Sequence, residues 1–84
     1  MPRFTVVWNR RAQDKLARIW LAAADRKSIT AASDRIDATL AVHPESAGPV
    51  VWKAFRELKI DPIGVVFDVR DQDRIVEVVA VKLL

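Results

Sequence analysis

An α+β fold in the order β-α-α-β-β-β follows from three observations. Phe4 to Trp8 is a short β-branched and aromatic run, the stretch from Asn9 to Leu40 carries apolar residues at helical spacing, and the remainder alternates Val-, Ile- and Phe-rich segments with turn residues. A two-helix hairpin packed on one face of a largely antiparallel, four-stranded sheet is the expected architecture.

The first element, FTVVW, is too short to nucleate a helix and suits a buried strand. Asn9 is a good N-cap, and after it Ala12, Leu16, Ile19, Trp20 and Ala23 fall on one helical face, with Arg10, Arg11, Asp14, Lys15 and Arg18 on the solvated face. Asp25 caps a second helix with Ile29, Ala32, Ile36 and Leu40 inward. His43-Pro44 closes it, because the residue before proline is biased out of the helical region, and Glu45 to Pro49 reads as a loop. Val50 to Ile60, Ile63 to Val69 and Arg74 to Leu83 then form a meander, divided by Asp61-Pro62 and by Asp71-Gln72-Asp73. Since a helical hairpin returns the chain to the end it left, the second strand should run opposite to the first.

Eighty-four residues support one core, so residues 1–84 are expected to be a single domain. Half the residues are apolar and 30% are charged with the signs mixed, the balance of an ordinary globular protein. No apolar run is long enough to span a bilayer and Met1 to Trp8 lacks the pattern of a signal peptide, so no membrane partner and a cytoplasmic location are expected. There are no cysteines and one histidine, which leaves no usual ligand set for zinc. The net charge of +3 is unevenly spread, with seven basic against two acidic residues in Met1 to Lys27, which hints at an anionic partner, either nucleic acid or an acidic polypeptide.

Neither a Gly-rich phosphate loop nor a nucleophile motif is present, since Gly48 and Gly64 stand isolated, and no cofactor is expected. Asp71 and Asp73 sit in a turn, where aspartate is favoured for its local hydrogen bonds. His43 has the side chain of a general base, but its place at a helix C-terminus before proline explains it structurally. Trp8 and Trp20 fall at core positions, whereas Trp52, beside Lys53, is a candidate for surface contact or base stacking. In VWKAFRELKI, strict alternation puts Trp52, Ala54, Arg56 and Leu58 on one face and Lys53, Phe55, Glu57 and Lys59 on the other. An arginine in register with apolar neighbours snorkels, pairs with a carboxylate, or waits for an anion such as phosphate.

Strand one, a helix pair with Trp20 near the end of helix one, the Pro44-to-Gly48 loop, Arg56-x-Leu58, the strand Gly64-Val65-Val66-Phe67-Asp68-Val69 and a last strand Ile75 to Val81 together resemble the RelE/ParE toxin superfamily, which includes plasmid stabilisation proteins. The resemblance covers nearly the whole chain and rests on the order and spacing of elements. It implies a growth-inhibiting toxin neutralised by a protein antitoxin that lays an extended or helical segment over the toxin's helices and sheet. RelE-like members cleave messenger RNA on the ribosome with strand-borne lysines and arginines, often with a C-terminal tyrosine, whereas ParE-like members inhibit DNA gyrase. Lys53 and Arg56 match the basic positions of the family's second strand, and Arg70 and Lys82 complete a candidate, metal-independent nuclease set. Arg10, Arg11, Lys15, Arg18 and Trp52 are the candidate target or antitoxin surface. The departures are a missing arginine near Val65, Phe67 in the usual aromatic place, no tyrosine, and an end at Leu84 that is expected to leave out the basic and aromatic tail of the nuclease. RNA cleavage through the 2′-hydroxyl needs an acid and a base besides cations, and neither is obvious. A ParE-like, gyrase-directed toxin is therefore the first expectation, followed by a RelE-like ribosome-dependent endoribonuclease and by an inactive antitoxin-binding module.

Overall fold

The computed structural model describes residues 3–84. Its elements are β1 (Thr5–Trp8), α1 (Arg10–Ala22), α2 (Arg26–Val42), β2 (Val50–Trp52), β3 (Phe55–Ile60), β4 (Ile63–Arg70) and β5 (Ile75–Leu83), with a 3-10 turn at Pro44–Ser46. The class and helical hairpin are as the sequence leads one to expect, but the sheet has five strands rather than four, in the order β1-β5-β4-β3-β2. The segment read as one strand, Val50 to Ile60, is a tight hairpin: Lys53 and Ala54 form the turn, and Trp52 pairs with Phe55. Lys53 takes a φ of 52°, in the left-handed region where a side chain is disfavoured. Strict alternation from Trp52 to Leu58 is broken there. β2 runs opposite to β1 as expected, and β3 runs with it; the antiparallel pairs are β2·β3, β3·β4 and β4·β5, while β1 pairs with β5 in parallel.

Both helices begin as their capping residues dictate. Asn9 Oδ1 accepts from the Ala12 amide at 2.8 Å, and the Asp25 carboxylate accepts from the Ser28 amide at 3.1 Å and from its hydroxyl at 2.6 Å. Those bonds, the hydroxyl foremost, hold the Asp25 carboxyl below its ordinary pKa. At its other end α1 is closed by a neighbour: Arg26 donates to the carbonyls of Trp20 and Leu21 at 3.1 and 3.0 Å, with its guanidinium 4.7 Å from the centre of the Trp20 ring.

α2 supplies most of the helical core. Ile29, Ala32, Ile36 and Leu40 are buried against Ile63, Val65 and Phe67 of β4 and Val76, Val78 and Val81 of β5. In α1 the sole buried residue is Ala12; Leu16 and Ile19 are half-covered. Trp20, expected in the core, is 38% exposed, because it is turned out beneath Arg26 and donates through Nε1 to Thr30 Oγ1 at 3.2 Å. Trp8 is half-buried against the core and donates to Asp37 Oδ1 at 2.7 Å, joining β1 to α2.

Candidate functional site

Cross-strand partners share a face of the sheet, so the register sorts the candidate cations. Trp8, Val78, Phe67 and Arg56 are successive partners from β1 to β3, and this row lies on the side the helices cover. Arg56 thus follows two fully buried side chains, Val78 and Phe67, in this row. It is half-buried, and its Nη1 donates to the carbonyl of Gly48 at 2.9 Å. The loop comes close there: a Cβ built on Gly48 would stand 1.8 Å from the Glu57 carbonyl oxygen, and the Glu57 amide donates to Pro49 O at 3.0 Å. Arg56 fastens the Pro44-to-Pro49 connection onto β3.

The other candidates lie elsewhere. Lys82 is opposite Gly64, which is opposite Lys59, so both lysines project from the uncovered face. Glu57 takes both, with its carboxylate 3.3 Å from Lys82 Nζ and 3.8 Å from Lys59 Nζ. Arg70 belongs to the same face, ion-paired with Glu77 and with its Nε 3.9 Å from the Asp68 carboxylate. Gly64 and Arg70 are six positions apart along β4, about 20 Å at the usual rise, so Lys82 and Arg70 sit at opposite ends of the sheet. Lys53 is at the hairpin tip, with Nζ 4.6 Å from the centre of the Trp52 ring, and Trp52 stacks on Phe55 at 5.8 Å. The four thus lie on a turn, at the two ends of the open face and on the covered face, with Lys53 and Arg70 at one end of the sheet and Lys82 at the other.

Arg56→Ala is expected to lower stability by about 2 kcal/mol, since it removes a charged donor from a carbonyl held against β3. Lys53→Ala should lower stability by under about 1 kcal/mol, the size of the exposed cation–π contact with Trp52 that it removes. Urea denaturation of the two variants side by side checks this; equal losses would contradict the structural role of Arg56.

Arg10, Arg11, Lys15 and Arg18 are all exposed on α1, and among the described residues none of them is ion-paired. On one flank of α1 a largely apolar groove of about 650 Å³ is lined by Trp8, Leu16, Trp20 and Leu21, with Asp37 of α2 at its edge. On the other flank Arg11, Lys15 and Arg18 border a recess of about 290 Å³ whose floor is Ala12 and Val79–Val81. Trp52 is 62% exposed on the edge strand β2, at the opposite side of the sheet from β1. The groove was not legible from the stripe of α1, which assigned Trp20 to the core; the signal was the breadth of that stripe, since Ala17 and Leu21 widen it to more than one small helix needs. Glu57 was missed as a partner of two lysines because strand pairing, not sequence proximity, brings Lys82 to it.

Among the described residues no three of His, Asp and Glu gather in a way that would hold a metal ion, and no helix is long and apolar enough to cross a membrane. No curated protein sequence matches the chain. Several solved structures share its fold, and three of them show how far the likeness extends. The toxin-antitoxin complex RelBE2 of Mycobacterium tuberculosis superposes with a TM-score of 0.83 at 14% identity, over 100% of this chain and 94% of that one. The chromosomal ParDE toxin-antitoxin system of P. aeruginosa gives a TM-score of 0.73 at 16% identity, over 96% of each chain. The free E. coli toxin RelE, in mutant form, gives 0.71 at 13% identity, over 96% of this chain and 83% of that one. The family model of the ParE toxin of type II toxin-antitoxin systems, parDE, matches residues 6–82. With both helices and nearly the whole sheet inside that match, the chain belongs to the ParE toxin family and is a type II toxin-antitoxin toxin of RelE/ParE type.

Proposed function

We propose that this toxin is ParE-like: it arrests growth by binding a large target of the gyrase type, without cutting RNA, and is neutralised by a cognate protein antitoxin. The observation that carries the reading is the dispersal of the candidate nuclease cations. Cleavage through a 2′-hydroxyl needs cations, an acid and a base converging within hydrogen-bond reach of one phosphodiester. Here Arg56 is engaged with the Gly48 carbonyl on the covered face, while Lys82 and Arg70 are engaged with Glu57 and with Glu77 and Asp68 on the other. A toxin that acts by occlusion has no such requirement and needs only an accessible surface. The antitoxin is supported by family membership and by two of the solved relatives, one a toxin-antitoxin complex and the other a toxin-antitoxin system. The apolar groove between α1 and α2, with Trp20 and Leu21 open to solvent, is the kind of surface that such a partner covers.

The test is expression from a tightly repressed promoter, with and without the neighbouring reading frame, followed by mapping of messenger ends and a gyrase supercoiling assay on the purified protein. Growth arrest with intact messages and inhibited supercoiling is expected, relieved by the neighbouring frame. Translation-dependent cuts lost in Lys53→Ala would replace this reading with a RelE-like endoribonuclease. Unimpeded growth with abundant folded protein would leave an antitoxin-binding module.

A further inference from the structure

We infer that β2, the edge strand Val50–Trp52, is a self-association site, where a second copy of this chain pairs its own β2 in antiparallel register and continues the sheet across the two molecules. The sheet's outermost strands are β1 and β2, and they are covered differently. β1 is fastened to α2: just before it Phe4 N donates to Ala41 O at 2.8 Å, and at its end Trp8 Nε1 reaches Asp37. β2 has β3 as its principal neighbour and no such cover, with Val50, Val51 and Trp52 exposed by 52, 49 and 62%. Soluble proteins guard an edge of this kind with charge, lysine above all. β2 carries none, and the nearest charge, Lys53, is folded back with its Nζ over the Trp52 ring. On the adjoining strand Arg56 is engaged with Gly48 O, and Glu57 with Lys59 and Lys82.

The strand's own sequence selects the occupant. A copy related by a two-fold axis at Val51 sets Val50 of each molecule opposite Trp52 of the other, a β-branched and aromatic pair made twice. Lys53 then comes opposite the uncharged Pro49, so no like charges meet. Such a contact closes at two molecules, whereas β2 laid against β1 of the next molecule would repeat without end. The same strand also bounds the strength of the pairing. It is three residues long, follows Pro49, which has no amide hydrogen to donate, and is bulged between Val50 and Trp52, where its register against β3 shifts. Three side chains per copy fall well short of the roughly 800 Å² that each partner brings to a standard interface, so the dissociation constant is on the order of 100 µM. Trp8, which lines the groove of α1, stands at the other edge of the sheet, and the pairing leaves that groove open.

The test is sedimentation velocity on the full chain from about 10 µM to about 1 mM, which brackets that constant. The average mass should rise from one chain toward two and stop there. Val51→Lys, which puts a guarding charge on the edge, should keep the chain monomeric throughout, while Val51→Thr should associate like the native chain. Leu21→Lys, in the groove of α1, should also associate unchanged. Should Val51→Lys fail to fold, hydrogen exchange of the native chain decides: the β2 amides should gain protection from the low to the high concentration, and those of α1 should not. A monomer at every concentration, undiminished association of folded Val51→Lys, loss of association in Leu21→Lys, growth beyond two chains, or unchanged exchange at β2 would each overturn the site.

Discussion

Phe67→Ala is expected to destabilise the protein by about 4 kcal/mol, the cost of removing a fully enclosed aromatic ring and leaving a cavity behind. Phe67 has Arg56 and Val78 as its strand partners, and both its faces are closed by the core of β4, β5 and α2. A domain of 84 residues has a total stability of roughly 4 to 13 kcal/mol, so the loss consumes a large part of it. In urea the midpoint should fall sharply. A loss below about 1 kcal/mol would show that the middle of the sheet can collapse around the missing ring.

Gly48→Ala should cost about 3 kcal/mol, although it adds one methyl group and Gly48 lies in a connection rather than in a strand. The new Cβ would meet a backbone oxygen, Glu57 O, at 1.8 Å, and backbone of a paired strand has little room to withdraw. Relief requires the loop to lift, which breaks both the Arg56 bond to Gly48 O and the Glu57 bond to Pro49 O. Gly64→Ala is the matched control. Its closest new neighbour is Leu84 Cδ2 at 3.1 Å, the end of a side chain that can rotate away, and a loss under about 1 kcal/mol is expected. Thermal unfolding of the pair checks the contrast, and similar midpoints would contradict it.

The helices were legible because their signals are local. Asn9 and Asp25 each cap an amide three residues on, and the inward positions of α2 follow one stripe. The β2–β3 hairpin was not legible, for its turn is Lys53-Ala54, without the glycine, asparagine or aspartate that ordinarily marks a two-residue turn. Stacking of Trp52 on Phe55 across the hairpin, with Lys53 laid over Trp52, is what accompanies the disfavoured backbone. Trp20 was misassigned because its hydrogen-bond and stacking partners, Thr30 and Arg26, lie on the next helix, beyond the reach of a helical periodicity. The basic residues of the candidate nuclease set were visible as residue types. What separates them, the face each strand position takes and the carboxylate each cation meets, depends on register, and register is a property of pairs of strands.

The parallel pairing of β1 with β5 has a consequence for synthesis. Thr5 is the partner of Ile75, and Val6 of Val76, so the first strand made is completed by the last. Contacts so distant along the chain form late and slow the folding of the whole. Until the stretch through Val78 has been translated, β1 has no strand beside it and α1 has no β5 beneath it. Synthesis of β5 is thus the step that closes the sheet at β1, and the surface shared by α1 and β5 takes its final form only then.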